Sequence, residues 1–111
     1  MIDLEVTRLT GITLVVPQED LDASTATEVK RALGGLIEAG QARLVMDLTQ
    51  VRSIDGAGLG VLVGAGKRAR AIGGNLKLCG LREEVRSLFE MTRLSHVMAI
   101  HEDQQAAVAS W

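Results

Sequence analysis

Short apolar runs and amphipathic stretches alternate along almost the whole chain, and this alternation limits the fold more than any other feature. Ile2, Leu4 and Val6 alternate with Asp3, Glu5 and Thr7, the period-2 pattern of a strand with one wet face. After the Thr10-Gly11 turn, Ile12 to Val16 resumes as a second strand, so the pair reads as a hairpin. Pro17 ends it, because proline has no N–H for a ladder. Asp22, Ser24 and Thr25 crowd a helix start, with Thr25 and Glu28 at capping-box spacing. The helix then runs to about Ala39, with Ala26, Val29, Leu33, Leu36 and Ile37 along one face and Gly40 where a C-terminal glycine belongs.

Arg43 to Leu48 is a short apolar run of the kind that forms a buried strand. A helix capped by Asp55 and stopped by Gly73-Gly74 follows. Asn75 to Cys79 reads as a strand, Glu83 to Met91 as a helix with Val85, Leu88 and Phe89 inward, Val97 to Ile100 as a strand, and Asp103 to Ala109 as a final helix. The order is ββαβαβαβα over residues 1–111, with no linker or repeat. Helical crossovers of this length imply mainly parallel pairing, with the first strand antiparallel at an edge. The expectation is one α/β domain with a mixed, mostly parallel sheet. Its core has to be aliphatic, since Phe89 and Trp111 are the only aromatic residues.

Several function classes are disfavoured. A net charge of −2 does not suit a nucleic-acid binder. The first residues, Met1 to Val6, lack the basic and apolar regions of a signal peptide. Leu59 to Ala65, the longest apolar stretch, is too short to span a membrane. Cys79 stands alone, so a reducing compartment, the cytoplasm, is the simplest expectation. Cys79 reads as a small core residue of its strand. Gly66-Lys67 imitates the end of a phosphate loop, but Val61 occupies the first glycine position and Arg68 the hydroxyl position. His96 and His101 have no cysteine partners at metal-site spacing, and no nucleophile-elbow pattern surrounds Ser53. No cofactor, metal or catalytic residue is expected, and the chain does not read as an enzyme.

What does need explaining is the glycine content of one helix: Gly56, Gly58, Gly60, Gly64 and Gly66. An interior helical glycine costs about 1 kcal/mol relative to alanine. Leu59, Leu62, Val63, Gly66 and Ala69 or Arg70 share one side and should face the sheet. Gly56, Gly60, Gly64 and Lys67 or Arg68 share another. Two explanations remain open at this point. The glycines permit close packing of helix on sheet, or they form a smooth exposed stripe on which a partner's backbone can lie.

The run Asp47-Leu48-Thr49-Gln50-Val51-Arg52-Ser53-Ile54-Asp55-Gly56-Ala57-Gly58-Leu59-Gly60-Val61-Leu62 resembles the signature of STAS domains of the bacterial anti-sigma factor antagonist group. Leu21-Asp22, Thr25-Ala26, Gly73-Gly74-Asn75-Leu76, Leu78-Cys79-Gly80, Val85-Arg86, Leu88-Phe89, Met91-Thr92 and Leu94 extend the resemblance over nearly the whole chain. It implies a small α/β fold whose glycine-rich second helix binds an anti-sigma factor, a serine kinase of the histidine-kinase-like ATPase group. In that family the unphosphorylated antagonist holds the kinase and frees the sigma factor. Phosphate on the serine after the motif aspartate breaks the complex, since it adds about −1.5 to −2 charge and three acceptor oxygens.

This chain departs from the pattern at that position. Gly56 stands in the serine's place and Ala57 follows, so neither has a hydroxyl to phosphorylate. The resemblance thus places partner binding on Asp22, Asp55, Gly56, Ala57, Gly58, Leu59, Gly60 and Gly64, with Ser53 and Thr49 as the nearest remaining hydroxyls. The implied state is a monomer or weak dimer. The rival reading is a STAS subunit docked permanently in a larger assembly, such as a lipid-transport ABC complex or a signalling scaffold.

Overall fold

A computed structural model describes residues 1–111. Its sheet has five strands in the order β1-β2-β3-β4-β5: β1 (Leu4–Leu9), β2 (Ile12–Pro17), β3 (Arg43–Asp47), β4 (Asn75–Cys79) and β5 (Ala99–His101). β1 and β2 are antiparallel, with Leu9 opposite Ile12 at the turn. All later pairings are parallel. The helices are α1 (Ala26–Glu38), α2 (Gly56–Ala71), α3 (Glu83–Met91) and α4 (Gln104–Ala109).

Alternation along the central strands decides which helix lies where. In β3, Leu44 and Met46 point into the larger core and Val45 into a smaller one. All three are fully buried, because both faces of the strand are covered. Val29, Leu33 and Ile37 of α1, Leu62, Ala65 and Ala69 of α2, and Val85 and Phe89 of α3 complete the larger core. Ala107 of α4 covers Ile12, Leu14, Val45 and Cys79 on the opposite face, with Trp111 packed at the edge. Phe89 is the one aromatic residue in an otherwise aliphatic main core. No helix is long and apolar enough to cross a membrane.

Both glycine stops form as the sequence suggests. Gly40 and Gly73 adopt positive φ, at 83° and 87°. In each case the next residue's N–H reaches back to the helix, Gln41 to the Leu36 carbonyl and Gly74 to that of Ala69. With the inner bonds from the Gly40 N–H to the Ile37 carbonyl and from the Gly73 N–H to that of Arg70, they make the paired bonds of a Schellman stop.

Three local expectations are corrected. Thr25 and Glu28 do not form a capping box. The Thr25 hydroxyl accepts from the Asp22 N–H at 3.1 Å and donates to the Asp20 carbonyl at 2.9 Å. Glu28 accepts instead from the Ile2 N–H at 3.2 Å, which seats Ile2 in the core ahead of the first strand. That strand begins only at Leu4, and Val6, expected on its dry face, is 48% exposed. The last strand is Ala99–His101 rather than Val97 to Ile100. A 3-10 turn at Leu94–His96, entered through Arg93 at a φ of 60°, consumes the preceding residues. Met98 takes the buried position and Val97 stays 61% exposed.

Candidate functional site

The β2–α1 loop and the β3–α2 loop emerge beside each other because β2 and β3 are parallel neighbours. Backbone bonds stitch them: the Leu21 N–H donates to the Ser53 carbonyl at 3.2 Å, and the Asp55 N–H donates to the Leu21 carbonyl at 3.1 Å. Leu21 and Ile54 thereby form an isolated parallel bridge. Two carboxylates complete the seam. Asp20 Oδ1 accepts from the N–H groups of Arg52 and Ser53 at 2.8 and 3.2 Å. Asp55 Oδ1 caps α2 by accepting from the Gly58 N–H at 3.0 Å, while its Oδ2 accepts from the Ala23 N–H at 3.0 Å.

Asp55 is therefore both helix cap and inter-loop clamp. The Gly58 N–H draws its carboxyl below the ordinary 3.8 against the opposing effect of burial, and the Ala23 and Ala57 N–H groups act in the same direction. For Asp20, burial acts upward but the Arg52 and Ser53 N–H groups and the Arg52 charge outweigh it, so its pKa also falls. Asp22 turns inward to its own loop, its Oδ1 accepting from the Ser24 N–H and hydroxyl at 2.9 and 2.6 Å. That local turn opens α1.

The structure divides the glycines between the two explanations. Gly58 is buried, and a Cβ there would collide with the Leu21 carbonyl, whose carbon lies 2.9 Å from that position. Its lack of a side chain serves the packing of α2 against the seam. Gly66 is buried near Arg70 and Met98. At Gly56, Gly60 and Gly64, by contrast, a Cβ would meet nothing within 4 Å. Close packing therefore explains Gly58, only flexible side-chain ends approach Gly66, and three positions meet nothing.

Gly56, Ala57 and Gly60 are exposed, and Gly64 is half-buried at the floor of a groove between α1 and α2. That groove holds about 250 Å³ and is lined by Lys30, Ala57, Gly60, Val61, Gly64, Ala65 and Arg68. Leu59 is half-buried against the main core. Of the eight residues placed at the site from sequence, Gly58 and Leu59 build its frame rather than its surface. Leu62, Gly66 and Ala69 face inward as expected, with Val63 half-buried against the main core and Ala65 joining them, whereas Arg70 is exposed.

Sequence reasoning missed Asp20, which holds the β3–α2 loop, and the contribution of α1 to the groove wall. Gly34-Gly35 in the middle of α1 was the available signal: Arg68 lies over Gly34, and Gly35 has open space above it. Ser53 and Thr49 are exposed. Their backbones are held by Asp20 and Asp47, and the Thr49 carbonyl accepts from Arg82 Nε at 2.8 Å. His96 is exposed and His101 lies in β5, away from the seam.

The family model described as the STAS domain matches residues 3–107. An anti-sigma-B factor antagonist of Listeria monocytogenes is 42% identical over 81 residues, covering 73% of this chain and 71% of that protein. An anti-sigma-B factor antagonist of Bacillus subtilis is 35% identical over 89 residues, covering 80% of this chain and 81% of that one. Among solved structures, an anti-sigma factor antagonist from Mycobacterium paratuberculosis superposes with a TM-score of 0.89. It is 20% identical and covers 99% of this chain and 93% of its own.

Proposed function

The chain belongs to the STAS domain family, in its anti-sigma factor antagonist group, and from that premise we propose that it docks an anti-sigma factor through the seam and the adjoining face of α2. The partner is a serine kinase of the histidine-kinase-like ATPase group, held away from its sigma factor. One observation carries the reading. The seam presents Gly56 and Ala57 exposed at the capped start of α2, beside a helix face whose glycines no internal contact requires. A partner's backbone can approach there without meeting a side chain.

The same position supports a protein that its partner cannot switch off in the family's manner. Gly56 and Ala57 carry no hydroxyl, so phosphoryl transfer at the start of the helix has no acceptor. Ser53 precedes the aspartate, and its backbone is tied to Asp20, which disfavours it as a substitute. The module is read as a binder without catalytic chemistry.

Capture of the native partner on immobilised wild-type protein, with Asp55→Ala as the control, tests the reading. A histidine-kinase-like ATPase retained by wild type and lost by the variant is the expected result. Retention of an ABC-type ATPase or a receptor complex instead would assign the chain to a permanent assembly.

A further inference from the structure

We propose that the groove between α1 and α2 receives an acidic segment of the protein partner, with Lys30 and Arg68 meeting its Asp or Glu side chains. This rests on the reading of α2 as the docking face and adds the chemistry of what lies there.

The groove has two adjoining hollows that share Lys30 and Arg68. One is floored by Gly60 and Gly64, the other by Gly34 and Gly35. Glycines of both helices therefore face one channel, and at Gly35, Gly60 and Gly64 no atom of this chain occupies the space a side chain would take. Gly34 lies beneath the Arg68 guanidinium, but neither helix needs Gly35, Gly60 or Gly64 for its own packing. An occupant approaching both backbones accounts for the pair of helices together, which a single helix stripe could not.

Charge identifies the occupant. Lys30, Arg31 and Arg68 line the groove against a single acid, Glu38, in a chain whose net charge is −2. α2 carries no acid anywhere in its sequence. Lys30 makes no ion pair, and Arg68 reaches Glu38 only at 3.5 Å with both side chains well exposed. Exposed pairs of this kind contribute little, so the guanidinium is free to change partners. The loop end of the same face bears Glu19, Asp20, Asp22 and Asp55 against Arg52 and Arg82, so acids outnumber bases there. That sign reversal disfavours a uniform polyanion such as a nucleic acid, and it orients the protein segment, whose acidic part lies over the groove. Complementary charge of this kind sets register and encounter rate more than raw affinity.

The test uses the full chain labelled with 15N and an alanine-based helical peptide bearing regularly spaced glutamates. Its lysine counterpart and inorganic phosphate are the comparison probes. The glutamate peptide is expected to shift the amide signals of Gly35, Gly60 and Gly64, and the lysine peptide is not. Lys30→Glu combined with Arg68→Gln should weaken the glutamate peptide about tenfold, the scale expected when two rim pairs are lost and one charge is reversed. Glutamine at position 68 avoids placing a new acid against Glu38, and an unchanged melting curve confirms the fold. Silence of the three glycines toward the glutamate peptide, equal response to the lysine peptide, or equal response to phosphate would each overturn the proposal.

Adding the histidine-kinase-like ATPase to the same labelled protein separates this inference from the reading beneath it. Shifts at Ala23 and Gly56 with the groove unresponsive to the acidic peptide would retain the docking reading and remove the groove. A responsive groove with no ATPase binding would do the reverse.

Discussion

Adding a methyl group at Gly60 or Gly64 places a Cβ where nothing lies within 4 Å, so neither substitution forces any atom to move. Both positions are interior to a helix of 16 residues. The gain from glycine to alanine is therefore close to the full propensity difference, about 1 kcal/mol each, much of it from reduced freedom of the unfolded chain. For a domain near this size that corresponds to a rise in Tm of about 4 °C per substitution. Gly58→Ala is the internal control, because its Cβ would run into the Leu21 carbonyl. Overpacking there should cost about 1–3 kcal/mol. Equilibrium urea unfolding followed by circular dichroism measures all three, and an unchanged m-value shows that the unfolded reference is the same. Destabilisation by both Gly60→Ala and Gly64→Ala, or a neutral Gly58→Ala, would refute the division of the glycines into frame and surface.

Gly64→Gln should leave the melting curve near wild type but weaken docking in a binding titration, since its side chain fills the groove floor. Gly56→Asp should also weaken docking while keeping stability, because a first-turn acid is favourable to the helix itself; equal binding would move the partner away from this helix end. The depressed pKa of Asp55 means that its stabilisation is present above the ordinary 3.8 and is lost as pH falls through the lower folded value. Wild type should therefore lose more stability than Asp55→Asn on acidification below about pH 4, and parallel acid-unfolding curves would contradict the clamp. Burial pushes the Cys79 thiol up to about 12, with Asp47 and Asp103 adding to the shift, so thiol-reagent labelling in native buffer should track unfolding; rapid labelling of folded protein would contradict its burial.

The order of elements was legible because each strand or helix announced itself locally. Asn75–Cys79 and Glu83–Met91 fall where their periodicity put them, and Asp55 caps α2 as the sequence indicated. What failed locally was decided by distant partners. Glu28 satisfies the capping-box pattern but is drawn to the Ile2 N–H, 26 residues away. Val97 looks like a strand residue, yet the 3-10 turn before it shifts the pairing to Ala99.

The candidate site was legible in part for the same reason. The motif pointed to Asp55 and its glycines, but one glycine pattern covers two physical roles. Only the position of the Leu21 carbonyl separates Gly58 from Gly60, and no helical periodicity encodes a contact with another loop. Asp20 was invisible because its two bonds cross to residues 52 and 53. The groove needed α1 and α2 together, and the sequence presents them apart.

Whether this is a docking module that its partner cannot phosphorylate at the helix start is decided by mixing wild-type protein with the histidine-kinase-like ATPase and magnesium-ATP, then following the complex by size exclusion and intact mass. The complex should persist in ATP with no phosphate on the chain, while Gly56→Ser gains one phosphate and dissociates. Absence of the complex, or phosphate on wild-type Ser53 accompanied by its release, would contradict it.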